Sequence, residues 1–202
     1  MKNAIFTLIF AVMASSGIFA QGAVPGNDLV VYGIDFTKAK FIGPEGFSNP
    51  TDLKERFFEG WNMLLVNERD KYPVGPAFRK VNVRYEFDAV REKNATVDPA
   101  KLVTYNSSDA VDLTPADLQR MVSGYKKSGS TGPGLVFVVQ AFDKVSEVAT
   151  VHLVFFDLAT GKLITTRKMT AAPGGFGVKN YWASCFAKIL DKAKKEYPTW
   201  SK

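Results

Sequence analysis

One segment of the chain is apolar on both sides of an extended backbone. Residues 135–142 have the sequence LVFVVQAF, in which Gln140 is the one polar residue. Successive side chains of a strand point to opposite faces of its sheet, so a strand of this composition is covered on both faces. The segment therefore predicts a central strand, around which the rest of the chain supplies the sheet and its helices.

Two more strands are predicted directly after this segment. Residues 148–156 and 163–169 are rich in β-branched and aromatic side chains. The loop between them has hairpin chemistry, with Gly161 available for a positive φ. Arg167 and Lys168 in the last strand are typical of a protected sheet edge. The three strands are expected to form an antiparallel meander.

Three segments carry an apolar stripe at helical spacing. Asn49 with Pro50, and Thr114 with Pro115, provide the N-cap residue and the first-turn proline that begin a helix. The third helix follows a glycine-rich turn and ends before Pro198. The predicted buried faces are Leu53, Phe57, Trp61, Leu64 and Leu65 in the first helix, Leu118, Met121, Val122 and Tyr125 in the second, and Tyr181, Trp182, Cys185, Phe186, Ile189 and Leu190 in the third.

The order of elements predicts an α+β fold, with a mixed α/β sheet. Strands are also expected at 29–36, which is rich in β-branched and aromatic residues, and at 81–87, where apolar and polar residues alternate. Residues 89–113 are polar and aperiodic, which predicts a long loop with a short strand at 102–105. The full order is strand, helix, strand, helix, the antiparallel meander and a C-terminal helix. Because each helix has one apolar stripe, the helices are expected to pack mainly on one sheet face.

Residues 1–20 have the three parts of a secretory signal peptide. Lys2 provides a positive start, and residues 4–14 are apolar except for Thr7. Ser15, Ser16 and Gly17 end the apolar run, and the small residue Ala20 follows. The apolar run is shorter than the about 20 residues that a transmembrane span needs. Later segments are no better suited to cross a bilayer, so we predict a cleaved leader and no transmembrane segment.

Cleavage after Ala20 is expected to leave a single α/β domain at 21–202, and cleavage after Ala23 is the alternative. The loss of Lys2 lowers the net charge from +6 to +5. Cys185 is the only cysteine of the chain, so no lipidation cysteine follows the leader. The sequence therefore predicts a periplasmic or secreted protein without a lipid anchor.

The composition excludes several classes of chemistry. One cysteine and one histidine exclude a disulfide scaffold, a multi-cysteine zinc site and a histidine-rich metal centre. The chain has no G-x-S-x-G motif, and no cofactor or metal is predicted. The basic excess and the lysine-rich end of the last helix would allow weak contact with anionic surfaces, but a solvated helix face is the better interpretation. No aromatic residues are interleaved with these lysines, so nucleic acid is not expected as a partner.

Two ionisable side chains are candidates for chemistry in the sheet. Asp35 lies between Ile34 and Phe36 near the end of the first strand, and His152 lies within a later strand. A buried carboxylate or imidazole can act as a general acid or base. The alternative for both residues is a hydrogen-bonded structural role, which is the usual state of a buried polar group.

The glycine-rich turn before the last helix is a candidate anion site. Gly174, Gly175 and Gly177 could present backbone N–H groups, helped by the dipole of the helix. Asn180 stands where a dinucleotide-binding motif has its last glycine, so the motif is incomplete. Ordinary tight-turn geometry is the alternative.

Several of these motifs occur together in one known fold. A strand ending in Phe156-Asp157, then Thr160-Gly161, a return strand, a glycine-rich turn and an aromatic helix start resemble the closing half of the TolB amino-terminal-like fold, which CsgG-type and LpoB-type envelope lipoproteins share. Gly33-x-Asp35-Phe36 together with Gly174-Gly175-Phe176-Gly177-x-x-Asn180-Tyr181-Trp182 resembles a family of exported Bacteroidetes proteins. The resemblance implies an envelope accessory or assembly role through protein contacts rather than catalysis.

Two functional hypotheses follow from the sequence. The first is an exported, non-enzymatic accessory or assembly factor that binds a protein of the cell envelope. The alternative is a small-ligand or anion binder, or a hydrolase, that uses the strand-end carboxylates and the glycine turn. The alternative requires Asp35 and His152 to converge on one pocket.

Overall fold

The structure is a computed structural model that describes residues 24–125 and 129–200. The predicted signal peptide lies outside the described residues. Seven strands form one sheet: β1 (Asp28–Asp35), β2 (Lys40–Ile42), β3 (Asn82–Tyr85), β4 (Val103–Thr104), β5 (Pro133–Asp143), β6 (Val148–Asp157) and β7 (Leu163–Ala171). The helices are α1 (Pro50–Asp52), α2 (Phe58–Asn67), α3 (Val74–Ala77), α4 (Asp88–Ala95), α5 (Pro115–Ser123) and α6 (Gly177–Glu196). A π-helical turn, Leu53–Phe57, joins α1 to α2.

Strand β5 organises the sheet, and all of its residues are buried. Strand β6 pairs antiparallel along one side of β5. On the other side β5 pairs in parallel first with β1, at Ile34 beside Phe137, and then with β2, at Phe41 beside Phe142. Strands β1 and β2 therefore lie end to end along the same side of β5. The prediction of a central strand is confirmed, and the sheet is mixed.

The antiparallel part of the sheet is not a separate unit. Strands β5, β6 and β7 pair antiparallel in chain order, but β5 is also the parallel partner of β1 and β2. Strands β3 and β4 add parallel pairs outside β1 and β2. The expectation of an antiparallel meander is therefore not supported, because β5 is shared with parallel strands and four of the six strand pairings among the described residues are parallel.

The helices cover both faces of the sheet. On one face, Phe142 of β5 stacks on Trp182 of α6, with ring centroids 4.7 Å apart, and meets Trp61 of α2 edge-on. On the other face lies Tyr125, just after α5, whose hydroxyl binds Asp35 of β1. The prediction that the helices pack mainly on one face is wrong for α5. The physical reason is the apolar character of β5 on both faces, since each face needs cover.

Three elements, α3, α4 and β2, were not predicted, and β3 is shorter than expected. Helix α4 lies in a segment that the sequence predicts to be a loop. It buries only Val90 and Asn94, so its sequence has no apolar stripe. Strand β2 has three residues, too few for a periodic pattern. Strand β3 begins at Asn82, and Val81 before it is 76% exposed. By contrast, the predicted helix caps at Asn49 and Thr114 are confirmed by side-chain hydrogen bonds to backbone N–H groups.

Candidate functional site

Asp35 is fully buried at the end of β1, and both carboxylate oxygens are engaged. Its Oδ1 accepts a hydrogen bond from the Thr37 backbone N–H (2.8 Å) and its Oδ2 accepts one from the Tyr125 hydroxyl (2.7 Å). Burial, together with this carboxylate, raises the pKa of Tyr125, so its hydroxyl stays protonated and donates. Asp35 therefore ties the loop after β1 to the end of α5.

Two buried asparagines hold the outer edge of β1 beside Asp35. Strand β3 pairs only with the first half of β1. Beyond it, the Ile34 N–H donates to Asn62 Oδ1 (2.7 Å) and the Phe36 N–H donates to Asn94 Oδ1 (2.8 Å). The Ile34 carbonyl accepts from Asn94 Nδ2 (2.9 Å). A Cβ on Gly33 would lie 2.2 Å from Asn62 Oδ1, so glycine permits this approach. The asparagines take the place of a neighbouring strand.

His152 is the inner end of a chain of polar side chains. Its Nε2 lies 2.9 Å from Gln140 Oε1, and Gln140 Nε2 donates to Asp112 Oδ1 (2.9 Å). Lys168 also binds Asp112 at the protein surface. Burial, helped by the charge of Lys168 and opposed by that of Asp112, lowers the pKa of His152 to about 4. His152 is therefore a neutral imidazole near pH 7.

Asp35 and His152 lie on the same face of the sheet but do not touch the same groups. Val138 is the strand partner of both residues, so it separates them by two strand spacings, about 10 Å. A cleft of about 450 Å³ is lined by Thr37 and Asp112, the outer members of the two hydrogen-bonded groups. The cleft therefore reaches both groups through their outer members, with lysines at its rim.

The glycine turn lies on the opposite side of the sheet, in front of α6. The Gly174 N–H donates to Ser184 Oγ (2.8 Å) and to the Tyr181 carbonyl (3.2 Å), so internal acceptors already use it. Gly175 and Gly177 have positive φ values of 104° and 77°, which fits a tight turn. Asn180 is exposed in the first turn of α6. The structure does not bring these residues together with Asp35 and His152.

Three exposed apolar side chains cluster at one end of the molecule, which we call the apical edge. Tyr105, Val145 and Phe176 are 84%, 70% and 94% exposed. Tyr105 and Val145 leave the sheet at the same level, because Ile42 of β2 pairs with the last residue of β4 and the last residue of β5. Nothing in the sequence marks Tyr105 or Val145 as a surface site, since isolated apolar residues in loops have no periodicity.

Helix α6 brings Phe176 to the same end. Lys144, beside Val145, donates a hydrogen bond to the Tyr181 hydroxyl (2.9 Å), and its ammonium lies 4.4 Å from the centre of the Tyr181 ring. Glu147 accepts from the same hydroxyl (2.7 Å). These contacts attach the β5–β6 turn to the first turns of α6, directly after Phe176. The apical edge is thus built from three separate loops on a rigid base.

The described residues offer little support for a metal site, a membrane-spanning helix or a reactive cysteine. Within residues 24–125 and 129–200, no group of three or more His, Cys, Asp or Glu side chains is arranged to hold a metal ion. None of the helices in those ranges combines the length and the apolar character that crossing a membrane requires. Cys185 is buried, and burial raises the pKa of its thiol to about 12, as expected of an unreactive core residue.

Comparison with known proteins finds a structural similarity to a solved lipoprotein. No protein-family model matches the chain, and no curated protein matches it. Among solved structures, the crystal structure of lipoprotein GNA1162 from Neisseria meningitidis is similar, with a TM-score of 0.35 and 13% sequence identity. The match covers 86% of this chain and 97% of that chain.

Proposed function

We propose that the protein is an exported, non-enzymatic accessory or assembly factor of the cell envelope, periplasmic or secreted, that acts through protein contacts. The apical edge is the observation that carries the proposal. The polar candidates support a role without catalysis, because the Asp35 carboxylate and the Gly174 N–H are used in internal hydrogen bonds. In this proposal the chain has a TolB-like fold and belongs with the exported Bacteroidetes proteins that it resembles.

The apical edge has the composition of a protein-binding surface. Single exposed apolar residues are common, but three large ones at one end are typical of an interaction site. Tyr105 and Phe176 are aromatic, and aromatic side chains are enriched among the residues that dominate binding energy. Lys144 and Glu147 form an ion pair in the same turn as Val145 and provide the polar rim that such sites have.

Site-specific photo-crosslinking in the native cell envelope tests the proposal. A photoreactive amino acid is placed at Phe176 or Val145, and at Val81 as a matched control. Val81 is also an exposed apolar residue, but it lies at the opposite end of the sheet, before β3. We expect both apical positions to crosslink to the same envelope protein and Val81 not to do so. Equal crosslinking from all three positions, or none from the apical pair, would contradict the proposal.

A second proposal is a small-ligand or anion binder, or a hydrolase, at the cleft lined by Thr37 and Asp112. One observation favours it: the cleft reaches the hydrogen-bonded groups of both Asp35 and His152. In an NMR screen of small organic acids and amino acids, a ligand is expected to shift the amide signals of Thr37 and Asp112. An Asp112→Asn variant is expected to weaken these shifts. A screen without any shift at the two residues would argue against this site.

A further inference from the structure

A buried lysine holds the segment that precedes β1. Lys80 is 6% exposed, and its ammonium donates hydrogen bonds to the carbonyl oxygens of Val24 (2.8 Å), Pro25 (3.0 Å) and Gly26 (2.6 Å). An ammonium has three donors, so these carbonyls satisfy it completely. The Asn27 carbonyl accepts from the backbone N–H groups that follow Lys80. We call this arrangement the N-terminal clamp.

The clamp is suited to one positive charge. Burial lowers the pKa of Lys80, and Asp28 opposes that effect. Val24 itself is 4% exposed, and its carbonyl also accepts a hydrogen bond from the Tyr197 hydroxyl (3.3 Å). The carbonyl dipoles therefore converge on the Lys80 ammonium at a site with little access to water.

A second cation at Val24 would lie very close to Lys80. Covalent geometry keeps the backbone nitrogen of a residue within about 3.6 Å of its own carbonyl oxygen. The Val24 oxygen is 2.8 Å from Lys80 Nζ, so the two nitrogens are separated by no more than about 6.4 Å. Two like charges at this distance in a poorly solvated site repel each other strongly.

We infer that processing cuts the chain after Ala20, so that Gln21 and not Val24 is the first residue of the mature protein. This inference rests on the export proposed above. A cut after Ala23 would place the free α-ammonium group within about 6.4 Å of the Lys80 ammonium. A cut after Ala20 instead puts the α-ammonium group on Gln21, three residues before Val24 in the sequence.

Intact-mass analysis and N-terminal sequencing of protein recovered from an export-competent host test the inference directly. We expect a first residue of Gln21, in its open form or cyclised to pyroglutamate. A first residue of Val24, or any other start inside the chain, overturns the inference and leaves the export proposal standing. Retention of Met1 overturns both.

A stability comparison isolates the charge. Chains 21–202 and 24–202 are prepared with defined first residues and unfolded in urea at pH 7. The 24–202 chain is expected to have an unfolding equilibrium constant up to about tenfold larger, the limit set by loss of the proton from its α-ammonium group at pH 7. Acetylation of Val24 removes its charge and is expected to restore stability. Equal stability of the two free chains, or no rescue by acetylation, would overturn the proposed repulsion.

Discussion

His152 makes the stability of the fold sensitive to mild acid. In the folded protein its pKa is about 4, whereas an unfolded histidine has a pKa near 6.5. Between these values the unfolded chain takes up a proton that the folded chain does not. His152 therefore has almost no effect on the free energy of unfolding above pH 6.5. As the pH falls from 6.5 to 4, the free energy of unfolding decreases, and below pH 4 this decrease is complete.

We expect the free energy of unfolding to decrease by about 2 kcal/mol between pH 7.5 and pH 5 through His152. A His152→Gln variant, which cannot take up the proton, should lose clearly less stability over the same range. Urea unfolding at both pH values measures the difference. Hydrogen bonds from Lys168 and Gln140 lower the pKa of Asp112, so this carboxylate does not titrate in the range. Identical pH dependence in the two proteins would therefore disprove the assignment to His152.

Residue roles were predictable where the partners are local in sequence. The turn-forming roles of Asp143 and Asp157 follow from short-range side-chain chemistry, and both carboxylates accept hydrogen bonds from N–H groups two or three residues ahead. The chain from His152 through Gln140 to Asp112 was not predictable. It depends on the register of β5 against β6 and on a loop that folds back over the sheet.

At the level of elements, the outer edge of β1 depends on side chains instead of a strand. Asn62→Leu would leave the Ile34 N–H buried without its acceptor, because β3 ends before this residue. We expect a loss of about 1–3 kcal/mol in the free energy of unfolding. Asn67→Leu, an exposed change on the same helix, is the control and should cost little. Equal effects in chemical denaturation would mean that the edge contact contributes nothing.

Elements with strong local signals were predicted correctly, and those without were missed. The caps at Asn49 and Thr114 and the positive φ of Gly161 follow from the chemistry of a few adjacent residues. Helix α4 forms because Val90 and Asn94 meet β1, and β2 forms because β5 extends beyond the end of β1. Such tertiary causes leave no periodic pattern in the sequence.

For the whole molecule, β5 is the strand most protected from solvent. It is paired along both sides and covered on both faces. We expect the amides of Phe137 and Val138 to exchange with solvent most slowly, at the rate of global unfolding, and Val83 in the edge strand β3 to exchange faster. Native-state hydrogen exchange measured by NMR would show this order. Protection of Val83 equal to that of Val138 would contradict it.

The overall architecture was partly contained in one segment. The apolar character of residues 135–142 correctly predicted a central strand, and the same property requires cover on both faces. The apolar stripe of each helix indicates that one face of the helix is buried. It does not indicate which face of the sheet the helix covers. That choice is made by long-range contacts such as the one from Tyr125 to Asp35, ninety residues apart.

The contact between Tyr197 and Val24 has a topological consequence. It brings the two ends of the described chain together, so the path of the backbone is almost a closed ring. Joining these ends through a short linker would cost little entropy. The ring could then be opened between Gly129 and Gly132, where both glycines have open surroundings. The order of the elements along the chain is therefore separable from their arrangement in space, and a circular permutant should retain the sheet and its apical edge.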